Sequence, residues 1–176
     1  HLTNWYPSID QPFKASWIER QIRALDTFCF NEVYHIEVVT GPFKLRNDPG
    51  ILGNKVLRLS FPTNVWFLKE IVTSVLVLYT LFIKIKLRDY DVVNFHIAYP
   101  LCTYLHLYQN FIKKPIVITE HWSAYHLNFG VKKDLNRIRR IFNNNVTWIT
   151  VSEALKVDLM KFSGNMTINA FVVANI

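Results

Sequence analysis

Residues 115–126 read Pro115-Ile116-Val117-Ile118-Thr119-Glu120-His121-Trp122-Ser123-Ala124-Tyr125-His126. The first five residues form a short, continuous, β-branched apolar run. Such a run is the pattern of a strand buried on both faces, and strands of that kind belong to parallel sheets covered by helices. The seven residues that follow are dense in polar and aromatic side chains. A buried strand that empties into such a loop predicts a ligand crevice, because open parallel sheets bind ligands beyond the carboxyl ends of their strands.

Working outward, the same rhythm recurs. Leu2-Thr3 read as the end of a first strand. Residues 14–29 carry apolar side chains at Trp17, Ile18, Ile22, Leu25 and Phe28, a helical period. Residues 33–40 predict a strand closed by Gly41-Pro42, residues 43–54 a loop around Asp48-Pro49-Gly50 and Gly53-Asn54, and 55–61 another strand. Residues 64–88 predict one long apolar helix, with Lys84, Lys86 and Arg88 at its C-terminal end. Then come a strand over 92–97, a helix over 99–111, the 115–119 strand, a basic helix over 132–143, a strand over 146–151, a helix capped by Ser152 and a strand over 168–173. Alternating strands and helices imply an α/β fold: a doubly wound, mostly parallel, Rossmann-like sheet of six or seven strands, in one domain over residues 1–176.

Composition narrows the classes. The 176 residues are 51% hydrophobic and 19% charged, which excludes a disordered chain. Ile71 to Ile83 is nearly all apolar, but about 20 residues are needed to span a bilayer, so a helix buried in a soluble domain is expected, with a membrane-dipping helix as the alternative. Cys29 and Cys102 are too few for a disulfide framework or a four-cysteine zinc site and read as free thiols in a reducing compartment. The net charge of +7 points to an anionic partner: nucleic acid, a membrane surface or phosphorylated small molecules.

Four strand-end segments hold the candidate chemistry. Asn4 to Gln21 leads into a helix N-terminus, where free amides favour an anion, although no glycine-rich phosphate loop is present. His96 suits either ligand contact or a satisfied core position. His121 can hydrogen-bond a hydroxyl, shuttle a proton or balance a phosphate, with Glu120 beside it to orient or tune it. Ser152 suits an N-cap or a donor to ligand. His121 and His126 lack metal-ligand spacing. Lys132, Lys133, Arg137, Arg139 and Arg140 form either a solvated face or a surface for an anion.

These segments, in order, resemble the N-terminal domain of family-four glycosyltransferases, the retaining enzymes of the GT-B fold. The resemblance rests on Trp5-Tyr6-Pro7, Pro12, Ala15-Ser16-Trp17-Ile18, Gln21 and Ala24-Leu25; on Asp91-Val92-Val93 with His96; on Thr119-Glu120-His121-Trp122-Ser123; on Val151-Ser152-Glu153-Ala154-Leu155; and in part on Val172 to Ile176. One departure is Ala15, where the family has a glycine that lets backbone approach the donor diphosphate. The resemblance implies a hexosyltransferase-type enzyme of polysaccharide biosynthesis. It would be cytoplasmic, at the inner face of the membrane, and would use a nucleotide-sugar co-substrate and no metal or other cofactor. It further implies His121 and Glu120 at the catalytic centre, Ala15, Ser16 and Ser152 towards the donor phosphates, and Trp5, Tyr6, His96, Tyr99, Trp122 and Tyr125 lining the site of a carbohydrate or lipid-linked acceptor.

The resemblance implies, too, that the donor itself sits on a C-terminal domain bearing an E-x(7)-E motif, which is not among these residues. Two other classes are a Rossmann-like binding module for a phosphorylated or carbohydrate ligand and a basic nucleic-acid-binding domain. The second is disfavoured because the aromatics sit in apolar strands and strand-end loops rather than among Lys and Arg. The basic 132–140 segment, with Lys84, Lys86 and Arg88, would suit anionic lipid or a phosphorylated acceptor. The purified 176-residue chain is expected to transfer no sugar, and turnover of any nucleotide sugar by it in a product assay would contradict the half-enzyme reading.

Overall fold

The computed structural model describes residues 1–8, 11–49, 55–130 and 135–175. The protein is α/β, with mostly parallel strands, and it divides into two compact units, residues 1–86 with 175–176 and residues 87–174.

In the first unit, β1 (Leu2–Thr3) pairs in parallel with β2 (Tyr34–Thr40), and β2 with β4 (Lys55–Phe61). The segment expected as a loop over 43–54 is corrected in part: Lys44–Pro49 forms a strand, β3, antiparallel to β4. Its Asp-Pro signals and polar side chains hid it. An edge strand carries such residues readily, because its outer side faces water. Residues 50–54 of the expected loop lie outside the described residues.

Helix α1 (Ser16–Leu25) buries Ile18 and Ile22 and keeps Arg20 and Arg23 outward. Helix α2 (Trp66–Tyr79) is continued by a wider turn over Thr80–Lys84, where the Ile85 amide reaches back to the Thr80 carbonyl at 2.9 Å. The helix therefore ends at Lys84 rather than at 88. Leu76, Val77 and Leu81 are fully or nearly fully buried, and α2 packs against β2.

The second unit contains β5 (Val93–His96), β6 (Ile116–Glu120), β7 (Thr147–Thr150) and β8 (Ala170–Val172), each parallel to the next. Every strand here is predicted by its short apolar run; Phe95 in β5 and Ile118 in β6 are fully enclosed, whereas Phe171 in β8 is exposed. The helix expected over 99–111 is mostly absent. Pro100 restricts Tyr99, and after it tight turns, such as the Thr103 amide to the Pro100 carbonyl at 3.3 Å and the Leu105 amide to the Cys102 carbonyl at 3.1 Å, replace a helical ladder. Turns lead instead to a short helix, α3 (Gln109–Ile112). The basic helix shrinks to α4 (Leu135–Arg139) with a tighter turn over Arg140–Asn143; residues 132–134 lie outside the described residues.

Helix α5 (Glu153–Ser163) follows β7. Its N-cap is Ser152, whose Oγ accepts from the Leu155 amide at 3.1 Å, and it ends at Gly164 with φ 71°, a left-handed cap that suits glycine.

The burial pattern of α2 gives a direct check. Leu81→Ala should cost about 2–5 kcal/mol, because it empties an enclosed site, whereas Val75→Ala on the outer face should change stability by less than about 0.5 kcal/mol. Urea denaturation of both variants reads this; equal losses would contradict the placement of α2.

Candidate functional site

The carboxyl edge of the second unit gathers most of the sequence candidates. Register aligns His96 with Thr119 and Glu120 with Thr150, so the residues after each strand come out at one rim.

Glu120 organises that rim. It is fully buried, and both oxygens are engaged. Oε1 accepts from the backbone amides of His121 and Trp122, each at 2.9 Å. Oε2 accepts from the Ala98 amide at 3.0 Å and the Tyr125 hydroxyl at 2.8 Å. The carboxylate thus ties the loop after β5 to the loop after β6. Burial pushes its carboxyl up from the usual range, and the four donated hydrogen bonds hold it back.

The Ala98 amide reaches Glu120 past a backbone outlier. Ile97 has φ 64°, a left-handed conformation that costs a β-branched residue about 1–2 kcal/mol. Such strain persists only where surrounding contacts enforce it. Here the Ile97 amide is held by the Thr119 carbonyl at 2.9 Å, and its side chain is fully buried.

Two histidines meet behind the rim. His96 is buried, and its Nδ1 lies 3.4 Å from Nε2 of the half-buried His121; the rings are nearly parallel, with centroids 5.7 Å apart. On the other side of His96, Nε2 lies 3.4 Å from Asn94 Nδ2, and Asn94 Oδ1 accepts from Thr119 Oγ1 at 3.0 Å. Burial first, then the neighbouring His121, hold the His96 imidazole well below its usual range, so it is neutral. A neutral ring that accepts from Asn94 at Nε2 carries its proton at Nδ1 and presents it to His121 Nε2. The arrangement orients the His121 ring and favours at most one positive charge on the pair.

In front lies an aromatic shelf. Tyr99 and Trp122, both half-buried, stack with centroids 6.5 Å apart. Phe129 meets both edge-on, at 5.3 and 5.2 Å, and also meets Tyr125 at 5.0 Å. Phe129 itself has φ 57°. Aromatic faces of this kind stack on the apolar faces of sugar rings or bases.

Among the expected site residues, then, Glu120, His121, Trp122, His96, Tyr99 and Tyr125 come together. Their roles differ by depth. Tyr125 and His96 are enclosed and support from behind, while Tyr99, His121 and Trp122 reach the surface. Ser152 sits at the same rim one strand over, with its Oγ engaged as the α5 cap.

The remaining candidates belong to the first unit. Tyr6 is buried, and burial pushes its phenol up to about 12; Trp5 is half-buried. Ala15 has φ 53°, the left-handed region that favours glycine, and it caps α1 with no side-chain bond. Ser16 opens that helix. Gln21 Nε2 donates to Asn175 Oδ1 at 3.0 Å, linking the first and last matched segments.

Sequence reasoning missed Asn94, Thr119 as the Asn94 donor, the Ala98 amide and Phe129. Alternation along β5 places Asn94 on the face of His96 and was the one available signal. Among the described residues, no three His, Cys, Asp or Glu side chains are grouped to hold a metal ion. No protein-family model matches this chain, and no curated protein matches it.

Because the folded state keeps His96 neutral, acid should weaken it. Below the ordinary histidine value of 6.5, the unfolded chain binds a proton that folded His96 refuses. Stability therefore falls as pH drops from 6.5 towards the folded-state value, by about 1.4 kcal/mol per pH unit for this group. His35 in the first unit adds a second such group, lowered to about 4 mainly by burial. His96→Gln should be less stable than the parent at neutral pH, with the gap narrowing by about pH 5. Parallel stability–pH curves would contradict the neutral assignment.

Proposed function

We propose that this chain is the acceptor-side, doubly wound Rossmann-like half of a retaining GT-B glycosyltransferase. It would act with a nucleotide-sugar donor and a carbohydrate or lipid-linked acceptor, on the cytoplasmic side. The observation that carries the reading is the position of His121. It comes directly after a buried parallel strand, half-exposed, beside the stacked Tyr99 and Trp122 rings. The left-handed φ of Ala15, where the family pattern has glycine, adds support, as does the bond between Gln21 and Asn175.

In this reading the reacting sugar passes through an oxocarbenium-like state as its bond to the nucleotide diphosphate breaks and the acceptor hydroxyl oxygen adds on the same face, its proton passing to the departing diphosphate. His121 orients the donor sugar and stabilises developing charge; the neutral His96 and Asn94 fix its ring. Glu120 positions the His121 and Trp122 backbone rather than touching substrate, since its four hydrogen bonds are internal. Tyr99 and Trp122 stack on a sugar of the acceptor. No step in this scheme requires a metal.

A second reading, a binding module without chemistry, is favoured by one observation: the Glu120 carboxylate is engaged by four internal hydrogen bonds. Titration calorimetry with nucleotide sugars and glycans, beside a transfer assay on the full-length protein, separates the two.

For the enzyme, His121→Ala in the full-length protein should lower kcat about a hundredfold and leave donor affinity nearly unchanged. A contact made mainly in the transition state appears in kcat, and one such donor is worth roughly 2.7–4 kcal/mol. A mutant with parental kcat would overturn the assignment.

A further inference from the structure

The first unit holds a cleft of about 470 Å³ where α1 ends and the chain turns into β2. It is lined by Tyr6, Ile22, Arg23, Asp26, Asn31 and Val33. Sites for small molecules run from about 300 to 1,000 Å³, with an apolar lining and a few convergent polar groups. The floor here is apolar, since Ile22, Val33 and the Tyr6 ring are buried.

The polar groups divide into those already engaged and those left over. Asn31 Nδ2 donates to Asp26 Oδ1 at 2.9 Å, and Asn31 Oδ1 lies 2.8 Å from His1 Nε2. The carboxamide thereby fixes the Asp26 carboxylate, whose Oδ2 has no partner among the described residues. Arg23 Nε pairs with Glu19 one turn earlier, which leaves the terminal guanidinium nitrogens.

Tyr6 is the informative residue. It is only 3% exposed, yet its hydroxyl has no hydrogen-bond partner among the described residues. A buried phenol ordinarily finds one, so an unmet hydroxyl on the wall of a cleft points to a ligand. Burial, and after it the Glu19 carboxylate, push this phenol up to about 12, so it remains a donor at neutral pH.

Charge narrows the ligand. Asp26 caps the C-terminal end of α1, where unpaired carbonyls form the negative end of the helix dipole. An ammonium group suits that place. Arg23, three residues earlier, suits a carboxylate, which a guanidinium grips with two parallel hydrogen bonds. Residues three apart on a helix have Cβ atoms about 5–6 Å apart, so the two ligand charges must be close neighbours. A simple anion fits poorly, because Glu19 and Asp26 both flank Arg23. An ammonium beside a carboxylate, with a hydrocarbon group for the floor, describes an amino-acid zwitterion.

We propose that this cleft binds a free α-amino acid with a small apolar side chain. Arg23 and the Tyr6 hydroxyl hold its carboxylate, Asp26 holds its ammonium, and Ile22 and Val33 cover its side chain. This inference stands independently of sugar transfer.

The test is titration of the isotope-labelled 176-residue chain, read in nitrogen–proton correlation spectra at the Arg23 Nε–H and the Asn31 carboxamide. Alanine, valine and leucine are the probes. Isovalerate and isobutylamine, which are valine without its ammonium and without its carboxylate, are the comparisons, with glucose as a neutral polyol.

Valine should shift both signals saturably. Isovalerate and isobutylamine should bind at least about tenfold more weakly, since each forfeits one charge-assisted contact. Tyr6→Phe should weaken valine binding about three- to tenfold with an unchanged thermal melt, because the phenol has no internal bond to lose. Arg23→Gln should weaken it by at least about tenfold. The proposal is overturned by any of four results: no saturable shift with any of the three amino acids; isovalerate or isobutylamine binding as well as valine; parental valine affinity in Tyr6→Phe or in Arg23→Gln; or glucose saturating the same signals while the amino acids do not, which assigns the cleft to a neutral polyol.

Discussion

One buried carboxylate holds the rim of the second unit together. Glu120 lies at the end of β6 with no access to water, and charge in such a place is tolerated only when every lone pair is met. Three backbone amides and one phenol meet it here. Two of those amides belong to His121 and Trp122, the third belongs to Ala98, 22 residues earlier, and the phenol belongs to Tyr125. These bonds hold the backbone of His121 and Trp122, the Tyr125 ring and the amide that follows the strained Ile97. The four bonds fix the geometry around the carboxylate.

The alternation of strands and helices was legible because hydrophobic runs are local. Val93–His96, Ile116–Glu120 and Thr147–Thr150 announce themselves as short enclosed strands. β3 did not, since Lys44–Pro49 is stabilised by its pairing with β4 rather than by its own composition. A long helix after Tyr99 is predicted for the opposite reason: apolar spacing continues through residues whose backbone is held in successive tight turns.

The site was legible in its parts and not in its roles. Residue types and their place after strands indicated His96, Glu120, His121 and Trp122. What each does depends on which strand lies beside which, and on bonds such as Glu120 to Ala98 that no local pattern encodes. Phe129 shows the same limit, since its left-handed backbone brings one ring against Tyr99, Trp122 and Tyr125 from a loop with no periodicity. The two sides of α2 were hidden as well: the run from Ile71 to Ile83 reads as apolar throughout, and only packing against β2 separates the buried Thr73, Ser74, Leu76, Val77 and Leu81 from the exposed Ile71, Val75 and Phe82.

The central claim, that Glu120 assembles the rim, is tested most directly by amide hydrogen exchange. The amides of Ala98, His121 and Trp122 should be protected in the parent protein. They should lose protection together in Glu120→Leu, which offers them no acceptor, while the Leu155 amide capped by Ser152 keeps its own. Fast exchange of those three amides in the parent, or unchanged protection in Glu120→Leu, would contradict the account.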